Sequence, residues 1–388
     1  MLIRKILLNN ELQNLLTSFF PEQPPLLFDI ETTGLSRRRS HLYLLGAVSR
    51  SADGWQMTQW FLDRPTEEKE LLESFSSYIN SFPKGTALVH FNGDTFDVPY
   101  LRFKYTFYGL EDPLADFESL DLYRKIRPMQ KILGLSSMRQ KDLEIYLDAD
   151  REDEMSGGEL IDVYQRFIQT RDDELLSLLF LHNHDDLEGM IRILPLLGLS
   201  GLAEGKFTIT ELLLTDAHLL ITLQPQFPLP TALRLQEPAQ LPDLQLIRDV
   251  KDPNRQENEA VPSAEHACSS PLQLLVPVFT GCCKHFFADY KNYYYLPMED
   301  QAIHKDVAVY VDPEYREKAK AATCYQKRNG SFLPQPVIRY EPVFYIEYKT
   351  GPALFEYTAG RFSDSRLLHS YACDLLQLFL YNGKPKRE

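Results

Sequence analysis

Apolar and polar positions in the first half of the chain follow patterns typical of strands and helices in succession. The apolar run at 26–28 ends in acids at 29–31, and residues 67–82 repeat apolar side chains at the 3.6-residue period of a helix. The pattern predicts strands at 26–31, 41–48, 55–61, 87–91 and 117–121, and helices at about 10–20, 67–82, 98–108 and in stretches to about 197. This order predicts an α/β fold, a mixed sheet flanked by helices.

The second half has a different pattern, with short strands separated by proline-rich turns. Residues 251–272 are polar and proline-punctuated, which indicates an exposed loop. We expect an N-terminal helical extension (1–23), an α/β domain (24–200) and a β-rich α+β C-terminal domain of unknown role (201–388). In the last, strands are predicted at 207–214, 218–223, 231–235, 244–250, 274–279, 293–296, 307–311 and 343–348, and helices at 313–322 and 365–381.

Composition narrows the class of protein. The length of 388 residues, with 44% hydrophobic and 25% charged residues, fits two globular domains. The net charge of −14 excludes a histone-like protein but leaves room for a nucleic-acid enzyme with a local basic track. No apolar stretch approaches the roughly 18 residues of a membrane span, so we expect no membrane partner. Five cysteines, an odd number, favour a reducing cytoplasm.

Acidic residues follow two of the predicted strands. Asp29 and Glu31 lie two apart on a strand, so both side chains leave the same face. Two buried carboxylates repel each other unless a cation lies between them, and oxygen ligands favour Mg²⁺ or Mn²⁺. Asp97 comes after the strand at 87–91, and Pro99 suits the first turn of a helix.

A third acidic site lies late in a leucine-rich helix. His182 and Asp186 are four residues apart and share one helical face. Each acid also has an ordinary structural interpretation: Asp97 as a helix N-cap, and the His182–Asp186 pair as a surface contact. A local basic stretch, with six bases and one acid between 121 and 141, could bind phosphate or be a solvated helix face.

Three motifs together resemble a known superfamily. Asp-x-Glu-Thr-Thr-Gly at 29–34, Asn-x-x-x-Phe-Asp-x-Pro at 92–99 and His-Asn-x-x-Asp at 182–186 look like the motifs of the DEDD 3′–5′ exonucleases, which have a ribonuclease H-like fold. Within that superfamily the sequence is most similar to the bacterial YprB-type ribonuclease H-like family. The resemblance covers about residues 24–200 and implies a cytoplasmic bacterial hydrolase.

The resemblance implies roles for individual residues. Asp29, Glu31, Asp97 and Asp186 become the ligands of two divalent cations, Mg²⁺ or Mn²⁺, and His182 becomes the general base in a position where one branch has tyrosine. The implied partner is a nucleic acid, with a single-stranded 3′ end as the expected substrate. Candidate contacts to it are Thr32, Asn92, Phe96, Arg37, Arg38, Arg39, Arg124, Lys125 and Arg127. The alternative is an adaptor that binds nucleic acid on the same fold with little or no turnover.

Overall fold

Two units make up the part of the chain that the structure, a computed structural model, describes: residues 1–131, 133–153, 155–230, 238–241, 243–248 and 270–380. The first unit contains residues 1–200 and 227–230, and the second contains the other described residues. Within these ranges, no helix combines the length and the apolar character that crossing a bilayer requires.

Six strands form the sheet of the N-terminal unit, in the spatial order β1-β4-β3-β2-β5-β6. The first four strands in this order pair antiparallel, whereas β2, β5 and β6 run parallel to one another. β2 and β3 read as nearly continuous apolar runs because helices pack over the sheet. The strands are β1 (Leu2–Leu7), β2 (Leu26–Thr32), β3 (Leu42–Ser51), β4 (Gly54–Phe61), β5 (Ala87–His90) and β6 (Glu118–Asp121).

Helices of this unit cover the sheet and bound the site. The 20-residue α7 packs against β2 and β3, with Leu179, Leu187 and Ile191 in the core. The helices are α1 (Asn10–Phe19), α2 (Glu68–Ile79), α3 (Asp97–Phe107), α4 (Leu122–Ile126), α5 (Gln140–Tyr146), α6 (Gly157–Thr170), α7 (Asp173–Arg192) and α8 (Leu194–Ala203), the last of which ends three residues into the second unit.

The C-terminal unit contains three small sheets and a closing helix, α10 (Ser365–Leu380). Their spatial orders are β7-β8-β10-β9, β11-β15-β16 and β13-β12-β14. The strands are β7 (Phe207–Leu214), β8 (His218–Pro225), β9 (Gln245–Arg248), β10 (Leu272–Pro277), β11 (Phe279–Phe286), β12 (Tyr293–Leu296), β13 (Gln301–His304), β14 (Glu317–Lys318), β15 (Tyr325–Pro334) and β16 (Leu354–Glu356), with a short helix α9 (Lys305–Ala308) between β13 and β14.

The expected architecture is confirmed: a mixed sheet with helices, followed by β-rich sheets. Several C-terminal elements were predicted wrongly. Residues 307–311 end a short helix instead of forming a strand, 313–322 contain a 3₁₀ turn and β14 instead of a helix, and 343–348 make isolated bridges only. β1, β11, β13, β15 and β16 were not predicted. The strand expected at 231–235 and nearly all of the loop expected at 251–272 lie outside the described residues.

Candidate active site

The acidic residues meet where the parallel strands end. Because β2, β5 and β6 are parallel, their carboxyl ends share one edge of the sheet, the position at which open α/β sheets bind ligands. Asp29 and Glu31 lie near the end of β2, and the segment after β5 leads to Asp97 at the start of α3. Asp186 reaches the same place from α7, which packs on β2.

Burial and mutual repulsion perturb these carboxyls. Burial, followed by the charges of Asp186 and Asp97, raises the pKa of Asp29 well above its ordinary value. Burial and the charge of Asp29 do the same to the pKa of Glu31. Burial also raises the pKa of Asp97 to about 7, against the hydrogen bond from its own backbone. These shifts indicate a cluster of carboxyls that lacks enough positive charge to be fully ionised.

Asn183 holds Asp29 from the helix side. It is fully buried on α7 and donates Nδ2 to Asp29 Oδ2 over 2.9 Å, while its Oδ1 accepts from Gln59 Nε2 at 3.0 Å. Gly46 on β3 makes this approach possible, because a Cβ there would overlap Asn183 Oδ1. The third motif therefore supplies an amide that orients the first acid, a role not predicted from the sequence.

His182 faces two of the acids. Its Nε2 lies 3.4 Å from Glu31 Oε1 and 3.4 Å from Asp186 Oδ2. Donor atoms of these three residues all lie within 4.8 Å of one another. The opposite ring nitrogen, Nδ1, lies 2.7 Å from Asp153 Oδ2. His182 is thus held between the acidic cluster and a carboxylate that the sequence had not indicated.

The loop after β5 is shaped by Asp121, the last residue of β6. Its carboxylate accepts from the backbone N–H of Asn92 at 2.9 Å and of Asp94 at 3.4 Å. Asn92 has a left-handed φ of 58°, a conformation that asparagine tolerates better than most residues. At Gly93, an added Cβ would overlap the His90 ring, 2.7 Å from Nδ1, and would lie 3.1 Å from Asp97 Oδ2. This turn sets the position of Asp97.

A second group of charges lies beside the acids and was missed by sequence reasoning. Arg151 donates Nη2 to Asp186 Oδ1 over 2.6 Å and to Asp153 Oδ2 over 3.1 Å, and its Nη1 lies 3.3 Å from Glu144 Oε2. Its side chain is 10% exposed. Against the effect of burial, His182 and Arg151 hold the pKa of Asp153 below its ordinary value. No local periodicity connects these residues, so the pattern could not have revealed them.

A cleft of about 860 Å³ opens over the acids. Arg139 and Lys141 supply the basic side chains of its lining, and Phe91 and Tyr123 the aromatic ones. Asp29, His182 and Asp186 form part of its lining, together with Asn92, Ser137, Met138, Gln140, Asp142, Met155, Ser156, Gly157 and Glu159.

Of the nine residues named as candidate contacts to nucleic acid, Asn92 alone belongs to the lining found for this cleft among the described residues. Arg139 and Lys141 of the lining belong to the basic stretch at 121–141, for which the sequence left phosphate binding as one alternative. Arg37, Arg38, Arg39 and Lys125 are exposed elsewhere. Arg124 pairs with Asp94 at 2.6 Å, and the Arg127 guanidinium lies 5.7 Å from the ring centre of Tyr123. Thr32 donates to the carbonyl of Gly34, and Phe96 packs on Tyr100. The bases that the structure brings to the site are therefore Arg139 and Lys141, in the cleft lining, and Arg151, in contact with Asp186.

Comparison with known proteins agrees with this fold. Residues 26–197 match the family model RNase_H_2, described as RNase_H superfamily. The six-stranded sheet and its helices thus form a ribonuclease H-like domain. No curated protein matches the sequence significantly.

Solved structures of exonuclease I resemble part of the chain. One of them, described as suggesting how processivity is achieved, has a TM-score of 0.29 and 16% identity over 42% of this chain and 44% of that chain. A zinc-bound E. coli exonuclease I complex with single-stranded DNA gives 0.29 and 16%, over 42% and 43%. A third, the E. coli enzyme with a dT13 oligonucleotide, gives 0.28 and 17%, over 42% and 44%. The chain spans less than half the length of these exonucleases.

Proposed function

We propose that this protein is a metal-dependent 3′–5′ exonuclease of the DEDD type, which hydrolyses phosphodiester bonds of DNA or RNA with its domain at 24–200. The observation that carries the proposal is the convergence of Asp29, Glu31, Asp97 and Asp186, with His182, at one edge of the sheet. The match of residues 26–197 to the RNase_H superfamily supports the same class of chemistry. No activity is assigned to residues 201–388.

The donor atoms fit divalent cations. Buried carboxylates that raise one another's pKa gain stability from a cation between them, and carboxylate oxygens suit Mg²⁺ and Mn²⁺. Asp29, Glu31, Asp97 and Asp186 would together hold a pair of such ions. Such a pair, when bound, stabilises the charge on the attacking and leaving oxygens and acidifies a water.

His182 would act as the general base. Its Nδ1 is engaged by Asp153, so the nitrogen that faces the acids is Nε2. A neutral imidazole whose nitrogen carries a free lone pair can accept a proton from a water held beside it. In this proposal His182 takes the proton of the attacking water at Nε2 and later releases it to solvent.

The cleft suits a single-stranded end. Arg139 and Lys141 would attract the phosphates of the strand, which an acidic protein needs at its site. Phe91 and Tyr123 offer ring faces or edges in the same cleft, and bases stack on aromatic side chains without regard to sequence. The polarity of digestion comes from the resemblance of the three motifs to the DEDD exonucleases.

The test is an assay of Asp29→Asn and Asp186→Asn on 5′-labelled oligonucleotides with Mg²⁺ or Mn²⁺. The wild-type protein should shorten the labelled strand from its 3′ end. Each variant should lower kcat about a thousand-fold, on the order of 4 kcal/mol, because a ligand of the ion pair is lost. Glu174→Gln, an exposed acid on the same helix as Asp186, is the matched control and should retain full activity.

Other outcomes would lead to other conclusions. Unreduced activity in both asparagine variants would contradict the site. Cleavage of circular or 3′-blocked strands would indicate an endonuclease on the same residues. Binding without shortening under every metal tested would instead favour the nucleic-acid adaptor. Parallel panels of DNA and RNA, single- and double-stranded, define the substrate.

A further inference from the structure

Asp153 lies on the irregular segment between α5 and α6 and reaches His182 on α7. The residue is 7% exposed, and its Oδ2 lies 2.7 Å from His182 Nδ1. Its other oxygen, Oδ1, accepts from the backbone N–H of Met155 at 3.1 Å. Asp153 does not belong to the cleft lining, so it touches the histidine from behind the site.

The hydrogen bonds around Asp153 determine which ring nitrogen carries a proton. Arg151 Nη2 and Lys141 Nζ donate to the same Oδ2, at 3.1 Å and 3.2 Å. An ionised carboxylate only accepts, so His182 must donate from Nδ1. In the neutral imidazole the lone pair is then on Nε2, the nitrogen that faces Glu31 and Asp186.

The segment is fastened to the helix that carries His182. Asp185 Oδ2 accepts from the backbone N–H of Glu152 at 2.9 Å and of Asp153 at 2.8 Å. Lys141 also donates to the carbonyl of Met155 at 2.6 Å. Asp185 and His182 are three residues apart on α7, and Asp185 binds the backbone of Asp153. The position of Asp153 relative to His182 is therefore fixed.

We propose that Asp153 is a positioning residue: it keeps the proton of neutral His182 on Nδ1 and directs Nε2 toward the carboxylate cluster, with Arg151 and Lys141 holding Asp153 in place. Its kinetic consequence rests on the proposed function, since it concerns the base of that reaction. The structural part, the proton on Nδ1 and the fixed ring, does not depend on any activity.

The first experiment measures the ring directly. Histidine ¹⁵N spectra of the metal-free, full-length protein are recorded at a pH where the ring is neutral, and His182→Gln assigns the signal. We expect the wild-type ring to carry its proton on Nδ1. Asp153→Ser should lose the protected Nδ1–H signal, because serine can keep the turn to Met155 but is too short to reach the ring. Asp153→Asn should retain it, because its amide oxygen still accepts.

Asp150→Asn, an exposed acid three residues earlier, is the matched control and should leave the spectrum unchanged. A wild-type ring protonated on Nε2 alone would overturn the proposal without any variant. An Asp153→Ser spectrum identical to the wild type would overturn it as well.

The second experiment separates positioning from a purely structural role. Asp153→Ser should lower kcat about 10- to 100-fold, the usual cost of losing a group that orients an active-site histidine, with KM nearly unchanged. Asp153→Asn should recover most of that loss. Equal kcat in the serine variant and the wild type would contradict the kinetic part. Absence of hydrolysis in the wild type itself would refute the proposed function, and the ¹⁵N spectra would still decide the position of the proton.

Discussion

The carboxyl groups on the two sides of the candidate site have opposite electrostatic surroundings. On the acidic edge, defined as Asp29, Glu31 and Asp97, burial and like charge raise the pKa of every carboxyl. In the ion-paired loop, defined as Arg151 and Asp153 together with their partners Lys141 and Glu144 on α5, the carboxylates have cationic partners, and the pKa of Asp153 falls. The ion-paired loop contains its own counter-charges, whereas the acidic edge would receive them from the bound ions of the proposed function. Asp186 belongs to both sides, because Arg151 donates to its Oδ1 while its charge raises the pKa of Asp29. The difference therefore separates the surroundings of the acidic edge from those of Asp153, and the roles of these acids as ligands or supports stay proposals.

The largest expected effect on stability is in the ion-paired loop. Arg151→Met should lower the free energy of unfolding by about 3 kcal/mol, because it leaves Glu144 and Asp153 with fewer partners in a buried place. Urea unfolding at neutral pH measures the loss. Arg166→Met, an exposed arginine on α6, is the control and should change little. Equal stability of the two variants would mean that the loop is not held by its charges.

The acidic edge should respond to metal ions instead. Mn²⁺ at about 100 times its dissociation constant should stabilise the folded protein by about 2.7 kcal/mol. Asp29→Asn should lose most of this gain, whereas Asp150→Asn should keep it. Thermal unfolding with and without Mn²⁺ provides the measurement. An undiminished gain in Asp29→Asn would place the ions elsewhere.

In the metal-free protein, the free energy of unfolding should depend on pH through the acidic edge. A free aspartate titrates near pH ~4, but folding raises the pKa of Asp97 to about 7. Over this interval the unfolded chain loses the proton first, so Asp97 makes the free energy of unfolding fall as the pH rises. Asp97→Asn should show a shallower fall between these limits. Urea midpoints measured across this range test it, and parallel curves for the two proteins would be inconsistent with the shift.

The smallest effect concerns the cleft lining. Arg139→Gln should weaken the binding of a labelled single strand by about 3- to 10-fold and reduce its salt dependence by about one counterion. Arg37→Gln should have no such effect, because Arg37 is exposed outside the cleft. Fluorescence anisotropy at several salt concentrations measures both. The reverse result would restore the arginines after β2 as the phosphate track.

Sequence reasoning succeeded where chemistry follows local periodicity. Asp29 and Glu31 two apart on a strand, and His182 and Asp186 four apart on a helix, have a relation fixed by their own element. The parallel ends of β2 and β5 then bring the motifs to one edge. The structure brings these residues together, while their roles stay predictions. Asp153 and Arg151 could not be found in this way, because they lie on an irregular segment whose path depends on Asp185 and Glu144.

The fold, like the site, was predicted correctly where the local apolar pattern matches the burial of the element. In the N-terminal unit, apolar runs such as that of β3 are buried on both faces, so pattern and structure agree. The run at 307–311 is rich in β-branched residues and was predicted as a strand. Val307, Val309 and Tyr310 are 57%, 65% and 89% exposed, and no strand pairs with them among the residues that the structure describes. Because these residues have neither a neighbouring strand nor a core to pack against, their strand propensity does not produce a strand, and they form a turn instead.

Three residues close together on α7 contact three different parts of the site. His182 contacts Glu31, Asn183 binds Asp29, and Asp185 ties down the segment that carries Asp153. A helix advances by 3.6 residues per turn, so one residue inserted ahead of His182 rotates all of them by about 100°. A single substitution therefore removes one of these contacts. Inserting one residue in the first half of α7 would instead break the contacts to Glu31, Asp29 and the Asp153 segment together.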